Sequence, residues 1–232
     1  MRIEELDTPA VIVDLDVLEV NIRSLADYCR AHGIGLRPHT KTHKIPAIAK
    51  TQMESGALGI TVAKVGEAEV MAAAGLDNIL VAYPVLGESK LQRLTRLALE
   101  KKITVALDSR EALEGISAAA NKAKCQIQIL IEFDMGMQRC GLQSVSDLVR
   151  MAYSIENLPG VRFAGIMFYP GHIWNLPPDQ SSALNQLSNR ILEIREQLGK
   201  AGLGCEIVSG GSTPTAYNSH LVQGLKIGRA HV

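Results

Sequence analysis

The chain has 232 residues, 47% of them hydrophobic, and its 24 Lys+Arg balance 24 Asp+Glu. That length and apolar share suit one large domain with an ample core. Zero net charge argues against partners recognised by bulk charge, such as nucleic acid or a membrane surface. No run of about 18 apolar residues marks a transmembrane helix, and residues 1–5, Met-Arg-Ile-Glu-Glu, hold no apolar signal core. A cytoplasmic protein is therefore expected. Cys29, Cys125, Cys140 and Cys205 are widely spaced with no C-x-x-C; they read as reduced thiols, not as a metal or disulfide set.

In chain order, residues 9–13 read as a first strand. Asp16 then caps a helix with Leu18, Ile22, Leu25, Ala26 and Cys29 at helical spacing, ending at Gly33. Residues 35–39 form the next strand, and its end carries the sharpest chemical signal: Arg37-Pro38-His39-Thr40-Lys41-Thr42-His43-Lys44. Alternate residues of a strand share a face, so His39, Lys41 and His43 are expected to point one way. Cationic neighbours and desolvation lower a lysine pKa, and a neutral amine can form a Schiff base with an aldehyde. The plainer reading is a basic strand tip that binds a phosphate or nothing.

Further strands are expected at 58–62, 78–82, 103–107, 126–134, 161–168 and 205–209, with helices between them. The clearest helix spans 179–201, with Leu184, Leu187, Ile191, Ile194 and Leu198 on one stripe. Strand–helix alternation of this kind predicts a parallel sheet covered by helices. Seven or so units in this length predict an α/β fold of the closed (β/α)8 TIM type; an open doubly wound sheet is the alternative. Strand 126–134 favours the barrel. Ile127, Ile129, Ile131 and Phe133 would meet the helices, while Gln128, Leu130, Glu132 and Asp134 face inward. Two carboxylates would then sit at the catalytic mouth, unless they are only solvated strand-end charges.

The loop Asp134-Met135-Gly136-Met137-Gln138-Arg139-Cys140-Gly141 offers Arg139, suited to a planar, permanently charged role. Phe168-Tyr169-Pro170-Gly171-His172 ends a strand, and Tyr169 could meet a cofactor ring or simply pack at the rim. Ser209-Gly210-Gly211-Ser212-Thr213-Pro214-Thr215 follows the last apolar strand. Its glycines allow close backbone approach, and consecutive N–H groups at a helix start form an anion nest. A phosphate site after a late barrel strand, together with a strand-end lysine on an early one, fits what pyridoxal 5′-phosphate needs.

The segments LDTPAVIVDLD (6–16), RPHTKTHK (37–44), KVGEAEVMAAAG (64–75), DMGMQRCG (134–141), FYPGH (168–172) and SGGSTPT (209–215) together span nearly the whole chain. Their combination resembles the D-threonine aldolase / D-serine dehydratase family, fold-type III pyridoxal-phosphate enzymes related to the barrel domain of alanine racemase. The resemblance implies an alanine racemase-like barrel with Lys41 as the Schiff-base lysine. It implies His39, Arg139 and Tyr169 around the cofactor ring and Gly210, Gly211, Ser212 and Thr213 at its phosphate. His172 matches a substrate-side position less securely, because loop lengths vary there.

By the same resemblance, the family continues into a smaller β-rich domain that carries a divalent-metal pair, a histidine with an aspartate or cysteine two residues on. No such ligands are expected in this chain, and the last barrel strand is expected to be missing from it. The family pattern would continue past Val222 through Arg-Pro-Gly; here the chain reads Leu225-Lys226-Ile227-Gly228-Arg229-Ala230-His231-Val232. Ile-Gly-Arg-Ala-His-Val back-translates to a widely used sequencing-adapter sequence. Residues 1–225 are therefore expected to be the barrel domain and 226–232 a non-native tail, so His231 is not read as a ligand. A genuine stop codon after Val232 at the source locus would overturn that.

The activity implied is cleavage of a D-3-hydroxy amino acid to glycine and an aldehyde, with metal assistance in a full-length homodimer. A D-serine dehydratase-type reaction, a noncatalytic pyridoxal-phosphate carrier, or a cofactor-free barrel for a phosphorylated metabolite are the alternatives. Little lyase activity is expected of the chain as it stands.

Overall fold

The computed structural model describes residues 2–175 and 179–230. Within them, helices and strands alternate as α1 (Leu15–Ala31), β1 (Gly35–Leu36), α2 (Pro46–Glu54), β2 (Ile60–Val62), α3 (Val65–Ala73), β3 (Ile79–Val81) and α4 (Glu88–Ala98). There follow β4 (Ile103–Leu107), α5 (Arg110–Ala123), β5 (Ile127–Glu132), α6 (Val145–Glu156), β6 (Val161–Phe168), α7 (Ser181–Lys200), β7 (Ile207–Gly210), a 3-10 helix (Thr213–Leu221) and β8 (Ile227–Gly228).

All eight strands are parallel, in the order β1-β8-β7-β6-β5-β4-β3-β2. The two ends of that order also meet. Leu58 N–H donates to Leu36 O (2.8 Å), Thr61 N–H to Pro38 O (2.7 Å) and Thr40 N–H to Thr61 O (2.9 Å). The sheet is thus closed into a barrel, and the open-sheet alternative falls. The expectation of a missing last strand is corrected as well. β8 pairs with β7 through Ser209↔Ile227 and with β1 through Gly35↔Ile227. Two extended residues suffice to satisfy both neighbouring edges. Of the expected tail, residues 226–230 take part in this packing, whereas His231 lies outside the described residues.

Residues 9–13 are not a strand. Val11 is 99% exposed and Ile12 and Val13 are also exposed, because no sheet edge lies alongside to satisfy their backbone; β-branched residues favour a strand only where a pleated surface receives them. The cap of α1 also differs from expectation. Asp14 accepts the Val17 N–H at 3.0 Å, while Asp16 lies in the first turn. Both aspartates suit a helix start, but the cap is the residue just before the first helical one, and the helix begins at Leu15.

The two faces of β5 separate as its alternation predicts. Ile127, Ile129, Ile131 and Phe133 join the large core between sheet and helices. Leu130 joins Leu80, Ala106, Ala164 and Met167 inside the barrel, and Gln128 accepts a hydrogen bond from Thr104 Oγ1 across the interior (3.2 Å). The stripe of α7, Leu184, Leu187, Ile191, Ile194 and Leu198, is buried. Each such side chain contributes about 1.5–3 kcal/mol by leaving water. Among the described residues no helix is long and apolar enough to cross a membrane, and the four cysteines are free thiols.

Candidate active site

The C-terminal ends of the strands surround a cavity of about 790 Å³. Its first wall comes from β1. Beyond the strand, His39 bridges to Thr61 and Thr40 starts a turn, its Oγ1 fixed to Thr61 O (3.1 Å). Lys44 N–H closes the turn by donating to Thr40 O (2.8 Å). That turn modifies the strand-face expectation. His39 and Lys41 line the cavity, but His43 is carried away, its Nδ1 accepting Ile45 N–H (3.0 Å) at the head of α2. His39 Nδ1 takes the Lys41 backbone N–H (3.3 Å). Partial desolvation lowers the Lys41 pKa, and the nearby Arg229 and Arg139 charges lower it further, against the opposing pull of Glu67.

The second wall is a loop folded tightly on itself. Asp134 accepts the N–H groups of Gly136 (2.9 Å) and Gln138 (3.0 Å). Asp108 accepts that of Gly141 (2.7 Å), and Phe133 bridges to Leu142. Gly141 has φ +102°, and a Cβ there would come within 2.6 Å of Asp134 N, so the closure requires glycine. The closed loop presents Arg139 with its guanidinium 4.7 Å from the Tyr169 ring centre, within cation–π range. Lys41 Nζ lies 6.0 Å from the same ring. The two carboxylates of β5 thus part company: Asp134 braces the loop, and Glu132 lines the cavity. Glu132 is 5% exposed and takes a Cys140 S–H bond at 3.2 Å. Burial pushes its pKa up.

The third wall follows β7. Gly211, Ser212 and Thr213 line the cavity, and Ser212 starts the 3-10 helix with a reciprocal capping box to Thr215. Gly211 has φ +130°, and a Cβ there would come within 2.8 Å of Arg229 O. Gly210 sits one step below; its missing side chain makes room for the Phe168 ring, whose atoms lie 2.3–2.5 Å from where a Cβ would be. Arg229 is buried, its Nη2 on Phe168 O (3.2 Å) and its Nη1 at Met167 Sδ (2.9 Å).

Residues 13–230 match the alanine racemase N-terminal domain family. The chain belongs to that family. It is 35% identical to the D-threonine aldolase of Arthrobacter sp over 213 residues, covering 91% of this chain and 56% of that one. It is also 35% identical to the 3-hydroxy-D-aspartate aldolase of Paracoccus denitrificans (strain Pd 1222), covering 97% and 60%. The crystal structure of D-threonine aldolase from Filomicrobium marinum superposes with a TM-score of 0.95 at 33% identity, covering 99% of this chain and 63% of that one. The chain thus spans less than two thirds of the length of these relatives.

On this alanine racemase-type barrel, the structure brings His39, Lys41, Arg139, Tyr169, Gly211, Ser212 and Thr213 to one cavity. Gly210 supports it from below. His172 stands apart, with its ring packed on Gly136 of the arginine loop, 3.1 Å from where a Cβ would be. Ala82, Tyr83 and Pro84 after β3, and Trp174 after β6, also line the cavity without having been singled out in the sequence. The signal for the first three is positional: they directly follow the end of a barrel strand. Among the described residues, no group of three or more His, Cys, Asp or Glu could hold a metal ion.

Proposed function

We propose that this barrel binds pyridoxal 5′-phosphate through Lys41 and, in the whole protein, cleaves D-3-hydroxy amino acids to glycine and an aldehyde. The observation that carries the reading is that Lys41, its pKa lowered, shares one cavity with Gly211, Ser212 and Thr213. The residues present suit that cofactor. Gly211, Ser212 and Thr213 line the same cavity as Lys41 at the start of the 3-10 helix, the helix end whose dipole favours an anion such as a phosphate. When bound, the cofactor supplies an electron sink for a bond broken at the substrate Cα.

The rest is the work of this chain's side chains. Lys41, its pKa lowered by partial desolvation, would hold the cofactor's aldehyde with loss of water and could exchange a proton with the substrate. Arg139, held above Tyr169, keeps a fixed positive charge beside a phenolic oxygen or a carboxylate. Tyr83, Pro84 and Trp174 add ring and apolar surface to the cavity lining, against which a substrate could pack. Relatives of similar identity include the D-threo-3-hydroxyaspartate dehydratase of Delftia sp. (strain HT23), 34% identical, so ammonia release from the same cavity is the outcome to be separated from aldol cleavage.

Borohydride trapping tests the reading. The purified chain is incubated with pyridoxal phosphate, reduced, digested and mapped by mass spectrometry. A single pyridoxyl adduct on Lys41, lost in Lys41→Ala, is expected; labelling scattered over surface lysines would refute it. Product analysis on the extended gene product then distinguishes glycine plus aldehyde from keto acid plus ammonia.

A further inference from the structure

Lys41 sits in a turn whose far end is strained. Lys44 closes the turn with φ +55°, a left-handed conformation that a non-glycine residue holds only when its surroundings impose it. The surroundings include Glu67, on the first turn of α3 and 7% exposed. Its Oε2 accepts the N–H of Ala63 (2.8 Å), and its Oε1 lies 3.6 Å from Lys44 Nζ. Ala63 directly follows β2 and lines the cavity. One buried carboxylate therefore hydrogen-bonds the turn after β2 and lies within ion-pair reach of the half-exposed Lys44 side chain, in the turn that carries Lys41.

We propose that Glu67 is a positioning residue for the Lys41 turn, acting through Lys44 and Ala63; its bearing on how Lys41 meets an aldehyde rests on the cofactor reading above. The groups facing Lys41 come from several elements. Arg139 reaches it from the loop after β5 and Arg229 from the end of β8, while Glu67 acts from α3. The His39 ring and the Tyr169 ring complete the surroundings. The two arginines favour the neutral amine, and Glu67 opposes them. Removing the Glu67 charge thus leaves Lys41 neutral at lower pH, while removing its oxygens loosens both turns.

Amide hydrogen exchange on the 232-residue chain without added cofactor tests the tether. Glu67→Ala is expected to speed exchange at Ala63 by about tenfold or more, the effect of losing a hydrogen bond to a charged group. Glu67→Gln restores protection at Ala63, since an amide oxygen still accepts, but not at Lys44. Lys44→Ala speeds exchange in the turn alone and serves if Glu67→Ala does not fold. Wild-type protection at both amides in Glu67→Gln and Lys44→Ala would overturn the tether. For the charge, the pH profile of the borohydride-trapped Lys41 adduct is expected to move to lower pH in Glu67→Gln. An unmoved profile refutes that part. If the wild-type chain forms no adduct, the cofactor reading fails together with the charge effect, and the exchange data still decide the tether.

Discussion

The two sides of the barrel are built differently. β4, β5 and β6 run five, six and eight residues and form a continuous wall. Ile103, Val105, Leu107, Ile127, Ile129 and Ile131, 0–2% exposed, pack beneath the helices. β1 and β8 have two residues each, and Leu36 of that seam belongs to a separate small cluster with Leu25, Ala26, Cys29, Ile34, Ala216 and Ala230. The wall carries Glu132, Arg139 and Tyr169 at its upper rim; the seam and its neighbour β7 carry Lys41 and the glycine cradle. Deep packing fixes the wall, and at the seam the missing side chains of Gly35, Gly210 and Gly211 let Leu58, Phe168 and the Arg229 backbone approach closely.

The largest effect is expected on the wall at Gly165. It has φ +138° at the register shift between β5 and β6, and a Cβ would sit 1.9 Å from Ile207 O. Gly165→Ala adds backbone strain to overpacking and should cost about 5 kcal/mol or more. Soluble, cooperatively unfolding Gly165→Ala protein with a near-native urea midpoint would show that the wall is more pliable than its geometry indicates. A paired truncation sharpens the contrast. Leu107→Ala on the wall should cost about 4 kcal/mol and Leu36→Ala on the seam about 2 kcal/mol, because two-residue strands can collapse into the space left. Equal losses in urea unfolding would erase the distinction between wall and seam.

The wall was also the more legible side. The alternation in β5 is regular over its whole length, so its inward and outward faces follow from spacing alone. The motif around Lys41 and the Ser209–Thr215 turn were legible because they need unusual residues in fixed order. The seam was not. β8 offers only Ile227 and Gly228, too few for any period, and its strand identity comes from the two edges that receive it. Residues 9–13 fail in the opposite sense, with strong strand composition and no edge beside them. Glu132 and Asp134 look alike in sequence. Only the closure of the loop at Gly141, which turns Asp134 toward the N–H groups of Gly136 and Gln138, assigns them different work. Tyr83 and Trp174 carry no periodic signal, since loop residues answer to the cavity rather than to a helix or strand.

The smallest effect concerns charge, and it tests whether the wall keeps Glu132 dry. Glu132 is surrounded by Cys140 and Arg139 of the loop, Asp108 after β4, and Arg229 after β8. Burial is the largest influence and raises its pKa; Arg229 and Arg139 oppose it without cancelling it. In the pH window above the ordinary glutamate value of 4.5, the folded chain therefore binds a proton that the unfolded chain has released. Stability from this group is fully present below that value and declines as pH rises through the folded value. Glu132→Gln, which keeps the shape and removes the ionisation, should flatten the decline in a urea series from pH 4 to 8. It should leave the acid side nearly unchanged. A decline of the same slope in both proteins would mean that water reaches Glu132 and that the wall is open at its upper rim.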